Sequence, residues 1–280
     1  MHDAFQLLKM YTPNLYKCAT RSAKDADAVK AKYEHRWASM AKAIEANGTF
    51  EAMTCIFDLL WSASESTEGD KEFLSFIDQT VQQALAVTED STRKQLEKLV
   101  IKMIISFGEE RSEYKNHFAE IAVIAKLLTR GRFRLECIEK QLPNGKRIDF
   151  EISKDNVRNL IEVFSIDFNS EKLSGSEDLK KFLENRLVKK LNDKLDGIKH
   201  LEVGCQLVPV LWGDIMSLVN FIDAFDYFKQ VKIIAPFMMV AHYTNQVDGR
   251  IAYDFGAVEQ FLLQVKRRAE GTLRQRRKEN

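Results

Sequence analysis

The sequence predicts an α/β protein, a mixed sheet flanked by helices, behind an N-terminal all-helical domain. Three observations carry that expectation. Up to residue 111, apolar residues recur at three- and four-residue spacing, the signature of amphipathic helices. Beyond it, short segments alternate apolar and polar residues between turn signals. From residue 112 the elements run helix, three strands, helix, strand, helix, strand. The expected division is therefore a helical domain over 1–111 and an α/β domain over 112–280.

In the first part, residues 25–48 read as a helix ended by Asn47-Gly48, a left-handed stop signal. Residues 50–64, 71–90 and 91–110 read as three more helices, with Ser91 as the expected N-cap of the last. Trp37, Trp61, Phe73 and Phe76 are their expected core residues. Of the four prolines only Pro13 precedes residue 140, so little interrupts these helices.

In the second part, residues 112–131 form a helix. The segment 132–141 reads as a strand, Leu142-Pro143-Asn144-Gly145-Lys146 as a turn, and 147–153 as a second strand. A turn over 154–159 leads to a third strand over 160–168. Residues 176–198 read as a long helix capped by Ser176, 201–214 as a buried strand, 217–230 as a helix, and 231–243 as a strand. The last helix runs from 257 into a basic tail. Strands joined by short turns make an antiparallel meander, and the long connection after the third makes a parallel crossover.

Composition narrows the function classes. The formal net charge is +1, so nucleic-acid binding would need a local basic patch. The tail supplies one, with Arg267, Arg268, Arg274, Arg276 and Arg277; it reads equally as a solvated helix end or as a phosphate-contacting segment. Cys18, Cys55, Cys137 and Cys205 are dispersed without a CxxC, as free thiols of a reducing cytoplasm would be. There is no apolar run of bilayer length, no signal-peptide pattern and no glycine-rich phosphate loop. The histidines show no metal-binding or catalytic-triad spacing. The expectation is a cytoplasmic protein without membrane contact.

The informative residues are acids inside strands. Residues two apart in a strand share a face, which groups Asp149 with Glu151 and sets Ile148, Phe150 and Ile152 opposite. Glu162 interrupts the next strand. If the two strands pair, Asp149 and Glu162 meet, and two such carboxylates repel unless a cation lies between them. Hard oxygen donors suit Mg2+ or Mn2+, and such an ion can activate water beside a phosphate. The plainer reading makes both acids solvated residues of an open face.

This element order, with Asp149 on the second strand and Glu162 on the third, resembles the PD-(D/E)xK nuclease superfamily, also described as restriction-endonuclease-like. The resemblance covers about residues 112–245. It implies a metal-dependent endonuclease that hydrolyses DNA phosphodiesters, in a restriction or defence setting, with Asp149, Glu162 and a first-helix acid, Glu120, at the metal. Ile148 replaces the proline of the pattern. Phe164 replaces its lysine, two residues after Glu162. On a wheel of the following helix, Lys194 falls inside the apolar stripe of Leu183, Leu187, Leu191 and Leu195, and Lys190 at its edge. These two are the candidates for a relocated lysine; Lys189 falls on the far side. The alternative is a catalytically inactive nuclease-fold protein that binds DNA or a protein partner. A homodimer, and a protein partner for the helical domain, are both compatible with the sequence.

Overall fold

The structure, a computed structural model, describes residues 3–48, 55–65, 68–107, 113–129, 133–167, 181, 185, 189–190, 192–198, 203–214, 237–243 and 251–257. Its N-terminal region is helical: α1 Ala4–Tyr11, α2 Pro13–Ala19, α3 Ala23–Asn47, α4 Ile56–Ser64, α5 Glu68–Val87, α6 Asp90–Ile105 and α7 Glu113–Thr129. A mixed sheet follows: β1 Arg134–Gln141, β2 Arg147–Lys154, β3 Val157–Asp167, β4 Gly204–Asp214, β5 Phe237–Tyr243 and β6 Ile251–Ala257. The chain is thus α/β overall, with the helices first.

Local chemistry explains the helix limits. Ser22 caps α3 through the Asp25 N–H, and Gly48, at φ +69°, closes it in the left-handed region glycine tolerates. α6 begins after Glu89 rather than Ser91; Ser91 is its second residue. The short α1 and α2 were not expected from the sequence. α2 starts at Pro13, and its Asn14 and Leu15 N–H groups donate to Asp78 on α5 at 2.9 and 3.0 Å. A cap supplied 64 residues away leaves no local sequence signal.

β1, β2 and β3 form the antiparallel meander, and β3–β4 and β4–β5 are parallel. The β2–β3 turn is tighter than expected: Asp155 and Asn156 take φ of +51° and +66°, the two-residue hairpin geometry matched to strand twist. β6, antiparallel to β5, was not expected as a strand. The expected helix over 217–230, the basic tail and Ser176 lie outside the described residues. In the crossover from β3 to β4, the described residues Lys181, Asn185, Lys189, Lys190 and 192–195 are helical.

One core runs from Ala4 to Phe255, so the helical region and the sheet share it. α6 packs on β1, α7 on β3 and α5 on β6, covering one sheet face. Phe118 of α7 lies 6.0 Å from the Trp212 ring of β4, and Phe73 of α5 lies 4.8 Å from the Tyr253 ring of β6. Each large side chain buried there contributes about 1.5–3 kcal/mol. On the opposite face a smaller cluster of Leu142, Ile148 and Leu160 packs with Leu195 and Ile198 of the crossover. Among the described residues no helix is long and apolar enough to cross a membrane.

Candidate functional site

The site forms where β2 and β3 part. Their paired register ends at Phe150 opposite Ile161. The next inward donor on β3, the Val163 N–H, goes instead to the Asp149 side chain, 2.6 Å to Oδ2. The alternation of β2 breaks at the same point: Phe150 and Ile152 belong to the main core, whereas Ile148 joins Leu160 on the other face. This differs from the same-face grouping of Ile148 with Phe150 expected from alternation. A carboxylate that replaces a ladder acceptor is locked in position by the backbone it satisfies.

Asp149, Glu120, Val163, Phe164, Ser165 and Lys190 line an open cleft of about 520 Å3. Glu120 comes from α7, one turn after His117, whose Nδ1 lies 3.6 Å from its Oε1. Burial holds the Asp149 carboxyl well above the ordinary carboxylate range, and the charges of Glu120 and Glu162 push it further. The Lys190 ammonium and the Val163 N–H act the other way. At Asp149, burial and the two neighbouring acids thus outweigh the Lys190 ammonium and the Val163 N–H.

Glu162 lies fully buried at 0% exposure. Lys190 Nζ is 3.0 Å and Lys194 Nζ 3.2 Å from its Oε1. Neither contact has hydrogen-bond geometry, and Glu162 Oε2 has no hydrogen-bond partner either. Lys190 instead donates to the Val163 carbonyl at 3.0 Å, and Lys194 to the Arg147 carbonyl. Each lysine thus ties the crossover helix to the sheet through a carbonyl while its charge faces Glu162. Lys190 Nζ also lies 4.8 Å from the centre of the Phe164 ring. Burial, with the charge of Glu162 adding to it, raises the Cys205 thiol to about 11, so that thiol stays protonated.

The remaining expected residues fall elsewhere. Glu151 is 3% exposed and pairs with Lys140 at 2.9 Å and Arg158 at 3.7 Å, away from the cleft. Lys189, expected on the far side of its helix, lines the cleft with Asn116, Asn185 and Asp193. Asn116, Asn185 and Asp193 were not singled out by the sequence; single polar residues on exposed helix faces carry no distinguishing pattern. The four cysteines are unpaired.

Among the described residues no three His, Cys, Asp or Glu groups are gathered to hold a metal together. The fit is to a narrower site. Glu162 Oε2 is a buried carboxyl oxygen with no hydrogen-bond partner, and Asp149 supplies the second carboxyl group. Mg2+ is commonly held by one or two carboxylates, with water and phosphate completing its shell. Glu120 stands at the cleft as a further acid. Compared with known proteins, the chain matches no family model, no curated relative and no solved structure.

Proposed function

We propose that this protein is a nuclease of the PD-(D/E)xK type that hydrolyses DNA phosphodiester bonds with Mg2+ or Mn2+, in a restriction or defence setting. The observation that supports it most is the meeting of Lys190, which lines the cleft with Asp149, with the buried Glu162, although the three residues lie on different elements. Asp149 and Glu162 would hold the ion, with Glu120 assisting. When bound, the ion supplies an activated water and charge neutralisation at the phosphate.

The chain's own groups have separate tasks. Asp149, fixed by the Val163 N–H, presents an oxygen at a defined point of the cleft. Lys190, held 3.0 Å from Glu162, would favour the negative charge that grows on the phosphate oxygens as the P–O bond breaks. Lys194 places a second cation beside Glu162 and anchors the helix to β2. Lys190 thereby occupies the role that the resemblance assigns to the position of Phe164.

A second reading, a DNA- or protein-binding module without catalysis, is favoured by Phe164 itself and by the lack of a gathered three-acid site among the described residues. Plasmid and single-strand cleavage with Mg2+ or Mn2+ separates the two. The nuclease reading expects cleavage by the wild type and its loss in Asp149→Ala and Glu162→Ala variants that remain folded. No cleavage by the wild type would favour the binding module. Cleavage unchanged in both variants would place the chemistry elsewhere.

A further inference from the structure

A second groove, of about 460 Å3, runs between α6 and β1, and its charge is one-sided. Lys98, Lys102, Lys140 and Arg147 line it against a single acid, Glu139. Glu139 takes a left-handed φ of +55° in the middle of β1, a conformation uncommon for a residue with a side chain. In that position it pairs with Lys102 and with Arg147, the latter at 3.2 Å. Lys140 is braced from below by the buried Glu151. Three cations of the groove are therefore held in place by acids.

The α6 face adds unbalanced charge. Lys94, Lys98 and Lys102 recur every four residues, so they stack along one side of the helix at steps of about 6 Å. Like charges at that spacing weaken a helix. Lys94 and Lys98 are exposed and have no ion pair or hydrogen bond among the described residues. The groove and the cleft each take a lining residue from β2, Arg147 and Asp149. Arg147 precedes Asp149 by two residues on β2, about 7 Å of strand, and its carbonyl holds Lys194.

We infer that Lys94, Lys98, Lys102, Lys140 and Arg147 form a track for the phosphate backbone of a nucleic acid, leading along α6 to the acidic cleft. A row of fixed and free cations fits a polymer of regularly spaced phosphates, and contacts of this kind bind without reading sequence. The destination of the track rests on the nuclease reading; the binding itself does not.

The test is fluorescence anisotropy of a short labelled DNA duplex, with EDTA present to stop cleavage, over a series of salt concentrations. Against the wild type, the Lys94→Gln/Lys98→Gln variant should bind more weakly, with the log–log salt slope flattened by about 2, near 0.9 for each lost contact. Lys94→Arg/Lys98→Arg should keep the wild-type slope. Both residues are exposed, and circular dichroism checks that the variants are folded. An unchanged affinity and slope in the folded Gln variant would overturn the track. Unlabelled duplex should displace the probe better than inorganic polyphosphate at equal phosphate concentration; equal displacement would overturn the assignment to nucleic acid. A parallel Mg2+ cleavage assay keeps the two ideas apart. Groove-dependent binding without cleavage would sink the nuclease reading and leave the track. Cleavage with an unchanged slope would do the reverse.

Discussion

Lys190 holds its ammonium 4.8 Å from the centre of the Phe164 ring while standing 3.0 Å from Glu162 Oε1. Phe164 follows Glu162 by two residues on β3, and Lys190 comes from the crossover helix. The aromatic face thus supports a cation delivered from another element, at the strand position where the resemblance expects a lysine. A ring in this arrangement favours a desolvated ammonium through its quadrupole.

On the nuclease reading, that arrangement makes Phe164 a positioning residue with a measurable effect. Replacing it by Leu keeps apolar bulk and removes the ring face. A cation–π contact of about 0.5–2 kcal/mol corresponds to a roughly two- to thirtyfold loss of kcat. KM for DNA should stay near the wild-type value, because the ring serves Lys190 rather than the substrate. Phe164→Trp should retain most of the activity. Equal losses in Leu and Trp variants would show that only packing matters at this position.

Asp149 gives a prediction in pH. Its folded carboxyl titrates above the unfolded value, first because it is buried and then because Glu120 and Glu162 surround it. Between an unfolded pKa of about 3.9 and the raised folded one, the native state binds more protons than the unfolded chain. Stability therefore falls as pH rises through that window, and the penalty is complete above it. Asp149→Asn removes the charge and keeps an acceptor for the Val163 N–H. Urea unfolding should find the variant more stable than the wild type at neutral pH by about 0.5–2 kcal/mol, with the difference fading near pH 4. A less stable Asn variant at neutral pH would mean that Lys190 and Lys194 outweigh the repulsion.

Much of this site was legible in the strands, for a physical reason. Asp149 and Glu162 break an apolar alternation, and a carboxylate in such a position demands a partner. The departure at Phe164 was equally visible. Lys190 and Lys194 could be found from the helical period, since a lysine at the edge of a leucine stripe must reach toward something charged. Lys189 escaped because a single wheel angle does not say how wide an open cleft is. The face switch at Ile148 escaped because a strand that gives one backbone acceptor to a side chain no longer keeps its period. β6 escaped for another reason: Phe255 is buried but its neighbours Asp254 and Gly256 are poor strand formers, and pairing with β5 decides the matter. The helices α1 and α2 were too short to signal themselves, because Asp78 and the shared core stabilise them from a distance.

The helical region has its own sensitive point in Arg36 and Asp58. Arg36 on α3 donates through Nε to Asp58 Oδ1 at 2.9 Å and through Nη2 to Oδ2 at 2.8 Å, a two-pronged pair on α4. Both residues are buried, at 8% and 1% exposure. Desolvating two charges offsets most of their attraction, so the pair adds little net stability. Removing one partner is different, because the other stays buried and loses its charge partner. Asp58→Ala should lower the unfolding free energy by about 3–5 kcal/mol, enough to unfold a marginal protein. Arg36→Met/Asp58→Leu, which removes both charges and keeps the volume, should recover most of that loss. Denaturant unfolding of the three proteins decides it. A double variant as unstable as Asp58→Ala would show that packing around α4, rather than the stranded charge, carries the effect.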